Sequence, residues 1–317
     1  MHYLVTGGAG FIGSHLTEQI LAEGHQVTVI DDFNNYYDPD IKRQNLAAVS
    51  DQVNLVEGDI RDAILVERLF AKENFDQVIH LAARAGVRPS IVDPKLYFTT
   101  NIDGTFNLLD ACRYHGVSRF TFASSSSVYG VNKKVPFSES DALTRTISPY
   151  AATKLAGEQI CSNYATLFGI RCQCLRFFTV YGPRQRPDLA IAKFTKSILA
   201  GEPIQQYGDG STARDYTYIK DIISGILAAT KYNSEEFEIF NLGGSATTTL
   251  SELINMIESA TGKTAIIERM PDQPGDVPRT YADISKSEQL LGYKPYTPIA
   301  EGIKKYVEYI QSSNTAL

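Results

Sequence analysis

Thr6-Gly7-Gly8-Ala9-Gly10-Phe11-Ile12-Gly13 decides the fold. The run follows Tyr3-Leu4-Val5, a short apolar stretch that reads as a strand. It opens a helical pattern over about 11–23 that Gly24 stops. Glycines 7, 10 and 13 give a G-x-x-G-x-x-G spacing. Three demands call for glycine there: a tight turn out of the strand, a backbone that approaches a pyrophosphate with no Cβ in the way, and a helix packed closely on a sheet. The helix N-terminus then faces the phosphates with unpaired N–H groups and the positive end of its dipole. Gly7, Gly10, Phe11, Ile12 and Gly13 are therefore expected on a dinucleotide. The next strand, 26–30, runs into Asp31, with Asp32 and Asn34 just beyond. A carboxylate at that spacing accepts hydrogen bonds from the adenosine ribose hydroxyls. It would also repel the extra phosphate of NADP, so NAD is the expected cofactor.

Outward from this loop, β-rich runs alternate with longer helical patterns. Strands are expected over 54–56, 77–81, 119–123 and 172–178, and helices over 63–72, 103–114 and 150–167. Such alternation implies a parallel sheet covered on both faces, an α/β fold. After Phe178 the texture changes. Gly182 to Pro187 reads as a loop, and turn-rich segments at 208–211 and 274–276 interrupt short helices. A buried strand over 238–242 is expected to rejoin the sheet. The expected division is a dinucleotide domain of residues 1–180, with 217–243 returning to it, and a smaller α/β lobe of 181–216 and 244–317.

The 317 residues exceed one compact core, which agrees with two lobes. A net charge of -6 argues against non-specific nucleic-acid binding, which needs a positive field. Cys172 and Cys174 form a C-x-C inside a strand with no second pair at metal spacing, so all four cysteines read as reduced buried thiols and no metal is expected. No apolar run is long enough for a membrane span, and no signal peptide precedes the first strand, so a cytoplasmic protein is expected.

Tyr150-x-x-x-Lys154 completes a wider pattern. With the glycine loop, His80-Leu81-Ala82-Ala83, Ser124-Ser125-Ser126-Ser127-Val128-Tyr129-Gly130, Ser148 to Lys154 and Gly208 to Tyr216, the chain resembles the extended short-chain dehydrogenase/reductase family over nearly its whole length. The resemblance implies a Rossmann-type doubly wound sheet with a C-terminal lobe that binds a nucleotide-linked sugar. It places Leu81, Ala82 and Ala83 on the cofactor, Asp59 and Ile60 beside the adenine, and Asn101 near the cofactor. It also implies a homodimer formed through the helices near 103–114 and 150–167. Tyr150 and Lys154 share one helix face. A free tyrosine is a poor base at its ordinary pKa of about 10. Two positive neighbours, the Lys154 ammonium and the nicotinamide ring, would favour the phenolate. Ser125 matches the family's catalytic serine or threonine and would orient the sugar O4.

The residues after Ser125 separate reactions. Sugar 4,6-dehydratases of the family look like Thr-Asp-Glu here, because elimination of water needs a further acid and base. Ser126 and Ser127 supply neither. What remains is oxidation at C4, turning over of the flat ketone and return of the hydride to its other face: 4-epimerisation of a UDP-sugar with NAD regenerated in each cycle. Ala85 to Arg88, Arg176 to Pro183 and Arg186-Pro187-Asp188 look like UDP-glucuronate 4-epimerases, and Thr179 stands where UDP-galactose epimerases carry asparagine. Arg186 would pair bidentately with the C6 carboxylate, with Ser127 and Thr179 as further donors and Arg88 near the sugar. Arg214 resembles the family's diphosphate-binding arginine. Gln273 stands where galactose epimerases tend to have another arginine, and Asp276 reads as a turn or uridine-side residue. Arg184 and Pro89 depart from the glucuronate pattern, which usually has tryptophan and tyrosine there, and this leaves a neutral UDP-hexose or UDP-N-acetylhexosamine open. A UDP-glucuronate decarboxylase of the same fold is the other enzymatic reading. A non-catalytic NAD-sensing regulator would usually have lost the Tyr150/Lys154 pair.

Overall fold

The computed structural model describes residues 1–271 and 277–312. The first half is a run of strand–helix units: β1 (His2–Thr6), α1 (Phe11–Ala22), β2 (Gln26–Asp31), α2 (Pro39–Leu46), β3 (Asn54–Glu57), α3 (Ala63–Lys72) and β4 (Gln77–His80). Two short helices, α4 (Val87–Val92) and α5 (Pro94–Phe98), lead through a π-helical turn at Thr99–Asp103 into α6 (Gly104–His115). Then come β5 (Arg119–Ser125), α7 (Pro149–Phe168) and β6 (Arg171–Phe177). The second half holds β7 (Thr179–Tyr181), α8 (Ala190–Ala200), β8 (Pro203–Tyr207), β9 (Ala213–Arg214), β10 (Tyr216–Tyr218), α9 (Ile219–Lys231), β11 (Phe237–Leu242), β12 (Thr248–Thr249), α10 (Leu250–Thr261), β13 (Ile266–Met270), α11 (Ser285–Leu291) and α12 (Ile299–Ser312).

Seven strands form one sheet in the order β11-β6-β5-β4-β1-β2-β3, with every neighbouring pair parallel. The chain winds outward from β1 to β3, then returns to place β4 on the other side of β1. Ligands of such sheets sit at the carboxyl ends of the strands beside this reversal. The expected return of the chain to the sheet is seen in β11, which pairs with β6 from Phe237↔Cys172 to Leu242↔Phe177. Apolar side chains of the inner strands are buried on both faces, Leu4 and Val5 alike, which is why these strands read as continuous hydrophobic runs. The two-stranded pairs β7–β10, β9–β12 and β8–β13 build the rest of the second lobe.

Helix α7 lies against β5 and β6 and carries the chemistry-bearing pair. Ser148 caps it by accepting from the Ala151 N–H, Pro149 occupies its first turn, and Gly169 ends it in the left-handed region. Its buried face includes Gly157, where a Cβ would lie 2.3 Å from the Phe122 ring, so only glycine lets the helix sit this close to β5. One turn beyond Lys154, Glu158 takes Arg176 of β6 in a two-pronged pair at 2.9 and 2.8 Å and also accepts from the Ser124 hydroxyl at 2.5 Å. The two side chains are 0% and 3% exposed. Removing one partner of so deeply buried a pair strands the other charge. Glu158→Gln is therefore expected to cost about 3–5 kcal/mol of stability. It should appear as a lower urea midpoint at an unchanged denaturant slope; an unchanged midpoint would show that Arg176 finds another partner.

Candidate active site

The loops after β1, β2, β4, β5 and β6 surround a cleft of about 510 Å³, within the size range of clefts that bury small organic ligands. Its wall includes Gly7, Gly10, Phe11, Ile12, Gly13, Asp31, Asp32, Asn34, Asp59, Ile60, Leu81, Ala82 and Ala83 at one end and Ser125, Ser127, Tyr150, Lys154, Thr179, Arg186 and Arg214 toward the other. Gln273 and Asp276 lie outside the described residues.

At the first end the three glycines differ in what they permit. Gly7 has φ +68°, and a Cβ there would meet the Ala82 nitrogen at 2.8 Å. At Gly13 a Cβ would meet the Gly7 carbonyl oxygen at 2.2 Å, so this glycine lets α1 pack onto the loop. At Gly10 the only close atom is the Gly7 oxygen at 3.2 Å. Its missing Cβ thus leaves room in the cleft itself. Gly10 is also the N-cap of α1, and no side chain caps that terminus. A free helix N-terminus beside open space fits a pyrophosphate.

Asp31 is buried and already accepts from the Ala9 and Phe33 N–H groups at 3.3 and 3.1 Å and from the Lys42 ammonium at 3.0 Å. Lys42 also lies 3.7 Å from Asp32, and Arg84 reaches Asp32 at 3.9 Å. The sequence reading missed both cations. Two carboxylates and two cations cancel, so repulsion of an extra phosphate is weaker than Asp31 alone suggests. What Asp31 retains toward a ribose is its unused lone pairs. The Asp59 carboxylate is turned to Arg61 at 2.5–3.1 Å. Burial would raise its pKa, but the Arg61 hydrogen bonds and charge hold it below the usual range.

The reacting centre lies where β5 ends over α7. Lys154 is 3% exposed, donates to the Ala123 carbonyl at 2.6 Å and sits 4.9 Å over the Phe122 ring. Burial lowers its pKa to about 8, with Cys161, Cys174 and Glu158 opposing the shift. Tyr150 faces the cleft, and Ser125 is hydrogen-bonded to its oxygen. Ser125 in turn accepts from the Ser127 hydroxyl at 2.8 Å and the Ser127 N–H at 3.2 Å. Burial raises the Tyr150 pKa, while the Ser125 bond and the positive charge of Arg186 pull it down. The lowering expected from Lys154 is thus replaced by a net rise in the protein alone.

Two of the expected residues are not part of the described cleft wall. Arg88 is not among the described residues of the cleft wall; its guanidinium lies 5.1 Å over the Tyr207 ring of β8, because α4 turns it toward the second lobe. Asn101 is buried behind the wall, in the π-helical turn. Its amide donates to the Arg84 carbonyl and to Thr153 Oγ1 at 3.0 and 2.9 Å, and its carbonyl accepts the Arg84 N–H at 2.8 Å. Arg186 does reach the cleft, but Asp188 grips it through Nε and Nη2 at 2.9 and 2.8 Å. Arg184, the departure from tryptophan, points elsewhere: it bonds Glu18 at 2.7 Å and the Asn45 carbonyl at 3.3 Å. The cysteines are free and buried, and the described residues hold no group of side chains suited to a metal. No described helix is long and apolar enough to cross a membrane.

His80, just behind Leu81, bonds Thr6 Oγ1 through Nδ1 at 2.7 Å and Thr105 Oγ1 through Nε2 at 2.9 Å. Burial, then the charge of Lys154, lowers its pKa to about 3, so the ring is neutral.

Known proteins share this arrangement. The profile of the family described as GDP-mannose 4,6 dehydratase matches residues 4–306. UDP-glucuronate 4-epimerase 1 of Arabidopsis thaliana is 43% identical over 98% of this chain and 76% of its own length. The crystal structure of UDP-glucuronic acid 4-epimerase from Bacillus cereus, in complex with UDP-glucuronic acid and NAD, is 39% identical, has a TM-score of 0.92 and covers 98% of this chain and 99% of its own. A UDP-glucose 4-epimerase from Thermotoga maritima with UDP-glucose is 34% identical at a TM-score of 0.91, over 98% and 99% of the two chains.

The buried lysine gives a direct test. In the cofactor-free protein Lys154 is expected to titrate near 8 rather than at its ordinary 10.5, read from its side-chain carbon and nitrogen shifts by NMR. Between those values the unfolded chain holds the extra proton. The Lys154 share of stability therefore rises with pH across that window. A titration above 10 would overturn the assigned burial.

Proposed function

The chain belongs to the GDP-mannose 4,6 dehydratase family, among the extended short-chain dehydrogenase/reductases, and we propose that it is an NAD-dependent UDP-sugar 4-epimerase that interconverts UDP-glucuronate and UDP-galacturonate. One observation carries the reading. Ser125 is hydrogen-bonded to the oxygen of Tyr150, the buried Lys154 follows one turn along α7, and among the described residues the carboxylates of the cleft wall are Asp31, Asp32 and Asp59, all at the far end, at the end of β2 and after β3. Base and hydrogen-bond donor are present where a hydroxyl would be oxidised. The extra acid and base that a dehydratase needs there are not.

NAD, when bound, supplies the hydride acceptor and returns the same hydride, so none is consumed. Its pyrophosphate fits the open space at Gly10 and the uncapped start of α1, and its adenosine ribose fits beside Asp31. Tyr150 removes the proton from the sugar O4 and later gives it back. Ser125, fixed by the N–H and O–H of Ser127, donates to that oxygen as it changes charge. Lys154 keeps further N–H donors for the nicotinamide ribose. Arg214, on the cleft wall, serves the diphosphate.

The C6 carboxylate is assigned to Arg186, Ser127 and Thr179, which share the cleft wall around Tyr150. A 4-keto uronate is a β-keto acid, and loss of CO2 requires the breaking bond to overlap the ketone π system. Holding the carboxylate near the ketone plane suppresses that loss and separates epimerase from decarboxylase.

Homodimerisation is proposed through α6 and α7. The two helices touch through the Tyr164 hydroxyl, which donates to Asp110 at 3.2 Å, and they expose Phe106, Tyr114, Leu167 and Phe168 at 48%, 68%, 68% and 39%. Neighbouring apolar side chains of this size are unusual on a monomer surface. Sedimentation velocity is expected to show a dimer that Phe106→Glu with Leu167→Glu converts to monomer; a monomeric wild-type protein would refute it.

The reaction is tested by incubating the protein with UDP-glucuronate and following anomeric protons by NMR. UDP-galacturonate is expected. UDP-xylose or a 4-keto pentose with CO2 would make the protein a decarboxylase, and turnover of UDP-glucose alone would move the substrate to a neutral hexose. Tyr150→Phe should lower turnover by about 100-fold or more while NAD stays bound; wild-type turnover in that variant would refute the assigned base.

A further inference from the structure

An arginine side chain offers two forks for carboxylates: a side edge made of Nε and Nη2, and an end edge made of Nη1 and Nη2. In Arg186 the side edge is taken by Asp188, at 2.9 and 2.8 Å. Nη1 meets no acceptor among the described residues. Tyr36 completes the clasp. Its ring lies 5.3 Å from the guanidinium carbon, and its hydroxyl donates to Asp188 Oδ2 at 3.4 Å. A turn fixes the loop itself, with the Leu189 N–H donating to the Arg186 carbonyl at 3.2 Å just before α8. Arg186 and Tyr36 both line the cleft, and the arginine's charge acts on Tyr150. The edge left over, Nη1 with the second N–H of Nη2, belongs to a side chain that shares the cleft wall with Tyr150.

We propose that Asp188 is a positioning residue that sets the substrate preference: by holding Arg186 along its side edge, it presents the end edge as the fork for the sugar carboxylate. This rests on the assignment of Arg186 to the C6 carboxylate. It also modifies that assignment, since the substrate shares the guanidinium with Asp188 and does not displace it. A guanidinium between two carboxylates cannot swing, so the carboxylate plane of the sugar is set by the protein. A neutral hexose, with a hydroxymethyl group at C6, gains nothing from this fork.

Asp188 has a second effect. Its negative charge offsets part of the Arg186 charge felt by Tyr150. Among the described residues the charged and titratable groups that act on that phenol are Arg186 and Tyr97, whose ring is 6.2 Å away, while Lys154 follows one turn further along the same helix. Neutralising Asp188 leaves Arg186 less compensated and holds the phenol lower. The form of Tyr150 that accepts a proton then persists to lower pH.

The test uses Asp188→Asn and Arg186→Ala in the NAD-bound enzyme, with UDP-glucuronate as substrate and UDP-glucose as competitive inhibitor. The asparagine keeps the shape but turns one acceptor into a donor facing an N–H. For Asp188→Asn the KM for UDP-glucuronate is expected to rise about 10- to 100-fold, the size expected when a charged hydrogen-bonded fork is misaligned. The inhibition constant of UDP-glucose should stay within about threefold, since it makes no use of the fork. The acid limb of kcat should move to lower pH. If the variant instead binds UDP-glucuronate more tightly, Asp188 is a competitor for the carboxylate and the proposal is overturned. Equal losses for both nucleotide sugars with an unmoved acid limb would reduce Asp188 to a structural role and overturn it too. Arg186→Ala separates the two levels of inference. An unchanged KM for UDP-glucuronate in that variant removes the uronate assignment itself. A raised KM there with no effect of Asp188→Asn removes only the role of Asp188.

Discussion

The neutral ring of His80 is the constraint on which the site's geometry depends. Its proton position follows from its neighbours. Thr105 spends its hydroxyl hydrogen on the Asn101 carbonyl at 2.6 Å, so Nε2 of His80 must be the donor to Thr105. Nδ1 is then an acceptor and Thr6 must donate to it, while Thr6 Oγ1 accepts the Ala82 N–H at 3.1 Å. Every member of this chain has one role open to it. From Asn101 it continues through Thr153, which donates to the Tyr150 carbonyl at 2.8 Å. The end of β1, the wall at Ala82, the π-helical turn and the first turn of α7 are thereby held by hydrogen bonds of fixed direction. A protonated His80 would break the direction at Thr6, and burial prevents it.

Helix α7 solves two burial problems on one face. Tyr150, Lys154 and Glu158 follow one another at helical spacing. Glu158 is paired with Arg176 and accepts from Ser124. Lys154 makes no ion pair among the described residues; it donates to the Ala123 carbonyl and lies over the Phe122 ring, and burial outweighs the charge of Glu158, so its pKa falls. The paired residue anchors the helix to β5 and β6, and the unpaired one is left poised beside the cleft. The same contact joins site and scaffold, because Ser124, next to Ser125 on the cleft wall, is held by Glu158.

The parts of this design that were legible in the sequence are those set by local chemistry. The glycine loop, the strand–helix alternation, the stop at Gly24 and the return of β11 to the sheet follow from patterns only a few residues long, and the observed ends lie within a few residues of those expected. The spacing of Tyr150 and Lys154 nominated one helix face, and α7 carries both residues on the cleft wall together with Ser125 at the end of β5. Partners distant in sequence were not. Nothing near Asp31 announces that Lys42 and Arg84 will neutralise the carboxylate pair, or that α4 will lay Arg88 on Tyr207. Asn101 illustrates a subtler limit: its side chain is consumed inside the wall by Arg84 and Thr153, and only the three-dimensional count of acceptors shows it.

The raised pKa of Tyr150 follows from the same accounting of charge. In the protein alone, burial outweighs the Ser125 bond and the Arg186 charge, so Tyr150 is a phenol and a poor base. Lys154, the neighbour the spacing nominates, donates to Ala123 and has a weakened hold on its own proton. In the proposed reaction Tyr150 would be an effective base only beside another positive charge, which an oxidised nicotinamide would supply. Once that charge is neutralised, burial would favour the phenol keeping the proton taken from the sugar, and the reverse half-reaction would return it. The centre thus stays near one net charge through both half-reactions, which suits a site that must hold a ketone long enough to turn it over.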